Sequence, residues 1–93
     1  FVVPTSNNYI LNNGDTITII RYQGKETKSY ELTIDNNANI NIPSIGLIKV
    51  ASLNLGEAKK IITQAIKRSF PTSKIIVDIS KYSSIQVTIT GNV

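Results

Sequence analysis

The chain has 93 residues, 41% of them hydrophobic and 17% charged, which is the size and balance of one small globular domain with a modest core. It contains no cysteine and no histidine, so disulfides, thiol nucleophiles, thiolate metal sites and the commonest general base are all excluded. The net charge of +4 is spread over Arg21, Lys25, Lys28, Lys49, Lys74 and Lys81 as well as a later helix, too thinly to argue nucleic-acid binding by itself.

Residues 1–8 (FVVPTSNN) read as a leading arm, with Phe1 to Val3 expected to pair at a sheet edge. Phe1 reads as the start of a mature or excised stretch, so any targeting segment would lie upstream. No apolar run approaches the roughly 18–20 residues of a membrane-spanning helix. Tyr9 to Leu11 is a short extended piece that runs into Asn12-Asn13-Gly14-Asp15. Asn-Gly is a strong turn signal because both residues tolerate a left-handed backbone, and Asp15 is assigned to that turn. Thr16 to Tyr22 (TITIIRY) is rich in β-branched residues that alternate, which favours a strand and disfavours a helix. Gln23 to Lys28 reads as a polar loop. Ser29 to Asp35 alternates Tyr30, Leu32 and Ile34 against Glu31 and Thr33, and the turn at Asp35-Asn36-Asn37 predicts a hairpin between this strand and the one at Ile40.

Ile40 and Ile42 alternate with Asn39 and Asn41, again the period of a half-buried strand. Pro43 has no N–H to donate and should end the pairing, and Gly46 can take a positive φ in the reversal. Leu47 to Val50 resume as a strand. The helix that follows carries the clearest local signal: Asn54 and Glu57 form a capping-box pattern, with Leu53 and Ala58 at staple positions. Leu55, Ala58, Ile61, Ile62, Ala65 and Ile66 fill one arc, while Lys59, Lys60, Thr63, Gln64, Lys67 and Arg68 fill the other. Lys67 and Arg68 in the last turn suit the helix dipole, and Pro71 closes the element. Beyond it, Ile75, Val77 and Ile79 share a face. Lys81 to Ser84 turns the chain, and Ile85 to Thr90 returns as a strand that ends at Gly91. The sum is an α+β fold, a small mixed or antiparallel sheet with one long amphipathic helix packed on one face.

The chemistry-bearing residues have ordinary roles. Asp15 and Asp35 fall in turns, Glu57 at a cap, and Glu26, Glu31 and Asp78 on solvated faces, so no carboxylate pair stands out. No nucleophile elbow, phosphate loop or dinucleotide fingerprint is present. Catalytic, cofactor-binding and metal-binding residues are therefore none, and an enzyme is not expected. Lys59, Lys60, Lys67 and Arg68 form a candidate contact face for an anion, an acidic polymer or a membrane surface, against the plainer reading of a solvated face. Tyr9, Tyr22, Tyr30 and Tyr82 could stack on sugars or bases, but tyrosines half buried in a sheet with the hydroxyl in water are commoner.

Four blocks in order resemble one family. Tyr9-Ile10-Leu11-Asn12-Asn13-Gly14-Asp15 is similar to the opening Y-x-L-G-P-G-D of bacterial outer-membrane polysaccharide export proteins. Ile34-Asp35 through Ile40-Asn41-Ile42-Pro43-Ser44-Ile45-Gly46 resembles their V-x-x-D-G-x-I-x-L-P-x-I-G. Val50 to Ala58 resembles V-A-G-L-T-L-x-E-A, which opens a helix there too, and Val87 to Val93 resembles the closing V-x-V-x-G-E-V. The departures are Asn12-Asn13 for Gly-Pro, Asn37 or Ala38 for the hairpin glycine, Ser52 for Gly and Asn92 for Glu. They bear on turn geometry more than on fold, because Asn also tolerates positive φ.

The resemblance covers nearly the whole chain from Tyr9 and implies a polysaccharide export-type domain over residues 9–93, a fragment of a longer chain that continues into a β-grasp domain. Gly14, Asp15, Pro43, Gly46 and Gly91 are its structural motif residues. It further implies a periplasmic module associated with the outer membrane, with no cofactor. Its partners would be further copies of itself in a ring, an inner-membrane polysaccharide co-polymerase, and the capsular polysaccharide or exopolysaccharide that passes. No nucleic acid is expected.

Two other readings make distinct predictions. Tyr9 to Ile20 (YILNNGDTITII) mimics the start of a LysM peptidoglycan- or glycan-binding module, in which a helix follows the Gly-Asp-Thr at once. A basic nucleic-acid-binding α+β domain would need its cations gathered on one surface beside exposed aromatics.

Overall fold

Because β-branched residues crowd a helix and fit a pleated sheet, Thr16 to Gln23 forms the central strand on which the rest is built. The computed structural model describes residues 7–83. The expected pairing of residues 1–3, the strand expected at 85–90 and Gly91 lie outside them. In chain order the elements are β1 (Thr16–Gln23), β2 (Glu26–Thr33), β3 (Asn39–Ile42), β4 (Gly46–Lys49), α1 (Leu55–Ser69) and β5 (Lys74–Lys81). β1 lies between β2 and β5 and is antiparallel to both. β3 and β4 form a separate hairpin, pairing Asn39 with Lys49 and Ile42 with Gly46. The fold is α+β, and the strand pairing among the described residues is antiparallel. A strand, not a helix, follows Gly14-Asp15, which removes the LysM arrangement.

Two expected connections differ. The polar stretch Gln23 to Lys28 is not a loop: Gln23 pairs with Glu26, leaving Gly24 and Lys25 as a two-residue turn. Gly24 has φ 59 at the first central position, where a type II′ hairpin turn takes glycine. Glu26 to Ser29 show no apolar alternation because they fill an edge strand that is exposed on both faces. The second difference concerns the hairpin expected between Ser29–Asp35 and Ile40. The chain does reverse there: Asp35 donates its N–H to the Asn39 carbonyl (2.9 Å) and its carboxylate accepts the N–H groups of Asn37 and Asn39. No ladder extends from this turn: β2 pairs with β1 and β3 with β4.

The core is one cluster. Ile17 and Ile19 of β1 and Val77 of β5 meet Leu55, Ala58, Ile62 and Ile66 of α1, with Leu11, Ile34, Ile40, Ile42 and Val50 completing it. Each large aliphatic side chain removed from water here contributes about 1.5–3 kcal/mol relative to exposure. Ile61 was expected on the buried arc but is 39% exposed. Leu55, Ala58, Ile62 and Ile66 hold the centre of the stripe, and Ile61 lies on its flank with Ala65, beside the β3–β4 hairpin.

Arg21 also departs from expectation. It continues the inward period of Ile17 and Ile19 and is buried rather than part of a surface charge. Its guanidinium lies 3.9 Å from the centroid of the Phe70 ring and donates to Gln23 Oε1 at 2.8 Å, with Glu26 Oε1 at 3.8 Å. Phe70 is the helix C-cap, so this stack ties the end of α1 to β1.

Candidate functional site

The Gly14-Asp15 pair sits at a crossing of chain segments. Asp15 donates its N–H to the Asn12 carbonyl (3.1 Å), closing the turn, and Gly14 takes φ 92 at the third turn position, as a type II turn requires. A Cβ on Gly14 would stand 2.9 Å from Ser83 Cβ, so the position needs glycine for space as well as for backbone angle. Asp15 was assigned to this turn and does accept the Asn12 N–H (3.0 Å). The structure adds more: its carboxylate is fully buried and also accepts the Tyr9 hydroxyl (2.8 Å) and the Ser83 N–H and hydroxyl (2.8 and 2.9 Å).

Four donors on two oxygens explain how a carboxylate is kept in an apolar setting without a cation. The Tyr9 ring meets the Tyr82 ring edge-on, with centroids 5.2 Å apart and planes at 83°. Burial, reinforced by the Asp15 hydrogen bond, raises the Tyr9 hydroxyl above its ordinary value of 10.0. Sequence reasoning missed Tyr82 and Ser83 as partners of Tyr9 and Asp15, because nothing local to β5 signals a contact with the first turn. The knot is a structural lock: all its acceptors are occupied, which leaves Asp15 no free lone pair for chemistry.

The other motif residues shape the hairpin tip. Ile45 donates its N–H to the Ile42 carbonyl (3.0 Å) across Pro43 and Ser44, and Ser44 has φ 70, the geometry of a type II turn with proline second. Gly46 has φ 115.

The start of α1 is closed as well. Asn54 and Glu57 form the expected capping box, Glu57 N–H reaching Asn54 Oδ1 at 2.8 Å. Residues 7–11 run antiparallel to the segment before the helix, and the Tyr9 and Asn7 carbonyls accept the N–H groups of Leu55 (2.8 Å) and Gly56 (3.0 Å). With the free amides of the first turn engaged, the helix N-terminus offers no anion site.

The cationic face is divided. Lys59 is half buried and donates to Asn7 Oδ1 (3.0 Å), which makes it part of the packing of the leading segment. Lys60, Lys67 and Arg68 are exposed and line shallow grooves with Thr63 and Gln64. A deeper groove of about 390 Å³ lies between α1 and the β3–β4 hairpin, walled by Ile45, Leu47, Ile48, Ile61 and Ala65, with Arg68 at its rim. Of the tyrosines, Tyr30 packs partly against the core, and Tyr22 is exposed on the sheet. Among the described residues, no cluster of three or more acidic side chains is placed to hold a metal ion.

Comparison with known proteins gives this geometry a context. The chain is 29% identical over 84 residues to the polysialic acid transport protein KpsD of Escherichia coli, covering 89% of this chain and 15% of that protein. A second KpsD sequence from the same species is 28% identical over the same span. The chain thus corresponds to 15% of the length of the curated relatives it matches. No solved structure matches it significantly. A family profile described as polysaccharide biosynthesis/export protein matches residues 3–91, and this span includes the Asp15 knot, the Pro43–Gly46 tip and the capped helix. The chain belongs to the polysaccharide biosynthesis/export protein family.

Proposed function

We propose that this chain is the export domain of a cell-envelope protein through which capsular polysaccharide or exopolysaccharide leaves a bacterial cell. It acts by assembly and by letting polymer pass, with no bond made or broken by its own residues. The observation that carries this reading is the family match over residues 3–91, supported by relatives named for polysialic acid transport.

The physical character of the domain agrees with a scaffolding role. Its one buried carboxylate is saturated by internal donors, its helix N-terminus is closed, and the exposed features of the described residues include cations along the helix and an apolar groove between α1 and the β3–β4 hairpin. On this reading the full-length protein is periplasmic and associated with the outer membrane. It assembles with further copies of itself as a ring and engages an inner-membrane co-polymerase.

The test is deletion of residues 9–93 from the full-length protein in its own host. Surface polysaccharide is expected to disappear while polymer accumulates inside the cell. Undiminished surface polysaccharide, with the truncated protein present at normal abundance, would overturn the proposal.

A further inference from the structure

Helix α1 holds most of the chain's excess charge. Its 15 residues carry four cations, Lys59, Lys60, Lys67 and Arg68, against one acid, Glu57, so it contributes three of the chain's net charge of +4. Glu57 is engaged in the capping box, where its carboxylate accepts the Asn54 N–H (3.5 Å). Among the described residues the one ion pair joins Arg21 to Glu26, so Lys60, Lys67 and Arg68 have no carboxylate partner there. All three are exposed. Lys67 and Arg68 suit the helix dipole, but Lys60 stands in the N-terminal half and gains nothing from it. Lys60 and Lys67 are two turns apart, which sets them on one line about 10 Å long. Two shallow grooves of about 350 and 390 Å³ follow this line, and both include Thr63 and Gln64, which join the Lys59–Lys60 end to the Lys67–Arg68 end.

We infer that the strip formed by Lys60, Thr63, Gln64, Lys67 and Arg68 is a contact site for an acidic polysaccharide, a chain with carboxylates on its sugars. The cations meet the carboxylates, and the Thr63 hydroxyl and Gln64 amide between them offer hydrogen bonds to sugar hydroxyls. The strip is open and its charges are laid out along a line, which suits successive anions of one chain better than a single small anion held in a pocket. Exposed pairs of this kind are individually weak and add along a polymer, so the contact holds a chain reversibly. A nucleic acid fits less well, because bases seek an aromatic platform and no tyrosine or phenylalanine lines either groove. A membrane surface fits less well too. A helix lying on lipid turns its apolar stripe outward, whereas Leu55, Ala58, Ile62 and Ile66 are buried in the core. This inference rests on the polysaccharide export reading and names the class of polymer and the surface that it touches.

Labelled polygalacturonate, which has a carboxylate on every sugar, probes the strip in the full-length protein by fluorescence anisotropy. It is expected to bind with an affinity that falls as salt is raised, while its neutral methyl ester does not bind. Lys60→Gln, Lys67→Gln and Arg68→Gln together are expected to weaken binding by about tenfold. Lys25→Gln, Lys28→Gln and Lys49→Gln remove the same charge from exposed positions off the helix and are expected to leave binding near the parent value. Equal losses in the two triple variants would reduce the effect to net charge and overturn the strip. Equal binding of the ester would overturn the charge reading. Tighter binding of polyuridylate, or of phosphatidylglycerol vesicles, that the first triple variant abolishes would give the strip to nucleic acid or to a membrane and overturn the proposal. In its own host, the first triple variant at normal abundance is expected to lose surface polysaccharide. Full export by that variant, with export abolished by deletion of residues 9–93, would overturn the strip and leave the export reading standing. Full export by both would overturn the export reading as well.

Discussion

Asp15 and Ser83 lie 68 positions apart, yet Ser83 delivers both its backbone N–H and its hydroxyl to a single oxygen of the buried Asp15 carboxylate, at 2.8 and 2.9 Å. The other oxygen takes Tyr9 and Asn12. This carboxylate therefore joins the leading segment, the first turn and the end of β5. The contact explains why a Gly-Asp pair opens the domain: glycine lets the two segments approach, and aspartate fastens them.

Asp15→Asn tests that lock. An amide presents one acceptor and one donor, so whichever way it is turned, a backbone N–H (Asn12 or Ser83) faces a donor. A buried unpaired donor costs about 1–3 kcal/mol, and more where a charged acceptor is lost, so a loss near 3 kcal/mol is expected. Urea denaturation of the purified protein measures it. A change below about 0.5 kcal/mol would show that the carboxylate does not hold the segments together.

Besides Ser44 in the hairpin tip, two non-glycine residues sit in left-handed backbone: Ala38 at φ 71 and Ser52 at φ 74. Both fall where the family pattern in the sequence favours glycine. Each costs about 1 kcal/mol in that region, because Cβ crowds the following carbonyl. Ala38→Gly and Ser52→Gly are expected to raise stability by about 0.5–1 kcal/mol each, read as a higher denaturation midpoint at unchanged slope. The gain is partly offset by the greater backbone freedom of glycine in the unfolded chain. Gly14→Ala has the opposite sign, since φ 92 and a 2.9 Å approach to Ser83 Cβ both oppose a side chain. A neutral or stabilising Gly14→Ala would contradict the close approach at the knot.

Most of the local structure was legible because local chemistry decides it. β-branched alternation gave β1, the Asn54–Glu57 spacing gave the start of α1, and Pro43 with Gly46 gave the hairpin tip. What stayed hidden was decided by partners distant in sequence. Residues 29–35 looked ready to pair with Ile40 because the turn at Asp35 is real. The ladder of residues 29–33 goes instead to β1, through a turn at Gly24 concealed in a polar run. Ser83 carries no local sign that it meets Asp15. Arg21 could have been placed: it holds the inward position two residues after Ile19, and only its charge argued against burial. Ile61 shows the limit of reading an apolar arc, since the width of the stripe does not say how much of it a neighbour covers.

Tyr9 predicts a dependence on alkaline pH. Its hydroxyl is raised above 10.0 chiefly by burial and then by the Asp15 bond, so the folded state holds the proton more tightly than the unfolded chain. The associated stability is complete below the ordinary value of 10.0 and is lost as pH rises through the higher folded value. Tyr9→Phe removes the bond at every pH and is expected to cost about 2 kcal/mol at neutral pH. Its deficit against the parent should shrink as both are titrated above about pH 10. No deficit at neutral pH would place the tyrosine's contribution in its ring contact with Tyr82, which phenylalanine keeps, rather than in its hydroxyl.

Arg21 and Phe70 give a prediction about the other end of the helix. The guanidinium is removed from water, stacks at 3.9 Å on the ring that caps α1, and keeps a hydrogen bond to Gln23. Arg21→Lys retains the charge but loses the flat surface and the fork of donors, and is expected to cost about 1–2 kcal/mol. Phe70→Leu removes the ring while keeping an apolar side chain at the cap. In a double-mutant cycle the two changes should couple by about 1 kcal/mol, because once the ring is gone the lysine forfeits only the guanidinium's geometry toward Gln23. The Glu26 carboxylate, at 3.8 Å and more than half exposed, contributes little by comparison, so Glu26→Gln should leave the coupling unchanged. Additive single variants would mean that Arg21 is held by Gln23 alone and that the helix end is anchored by the burial of Phe70 without the stacked cation.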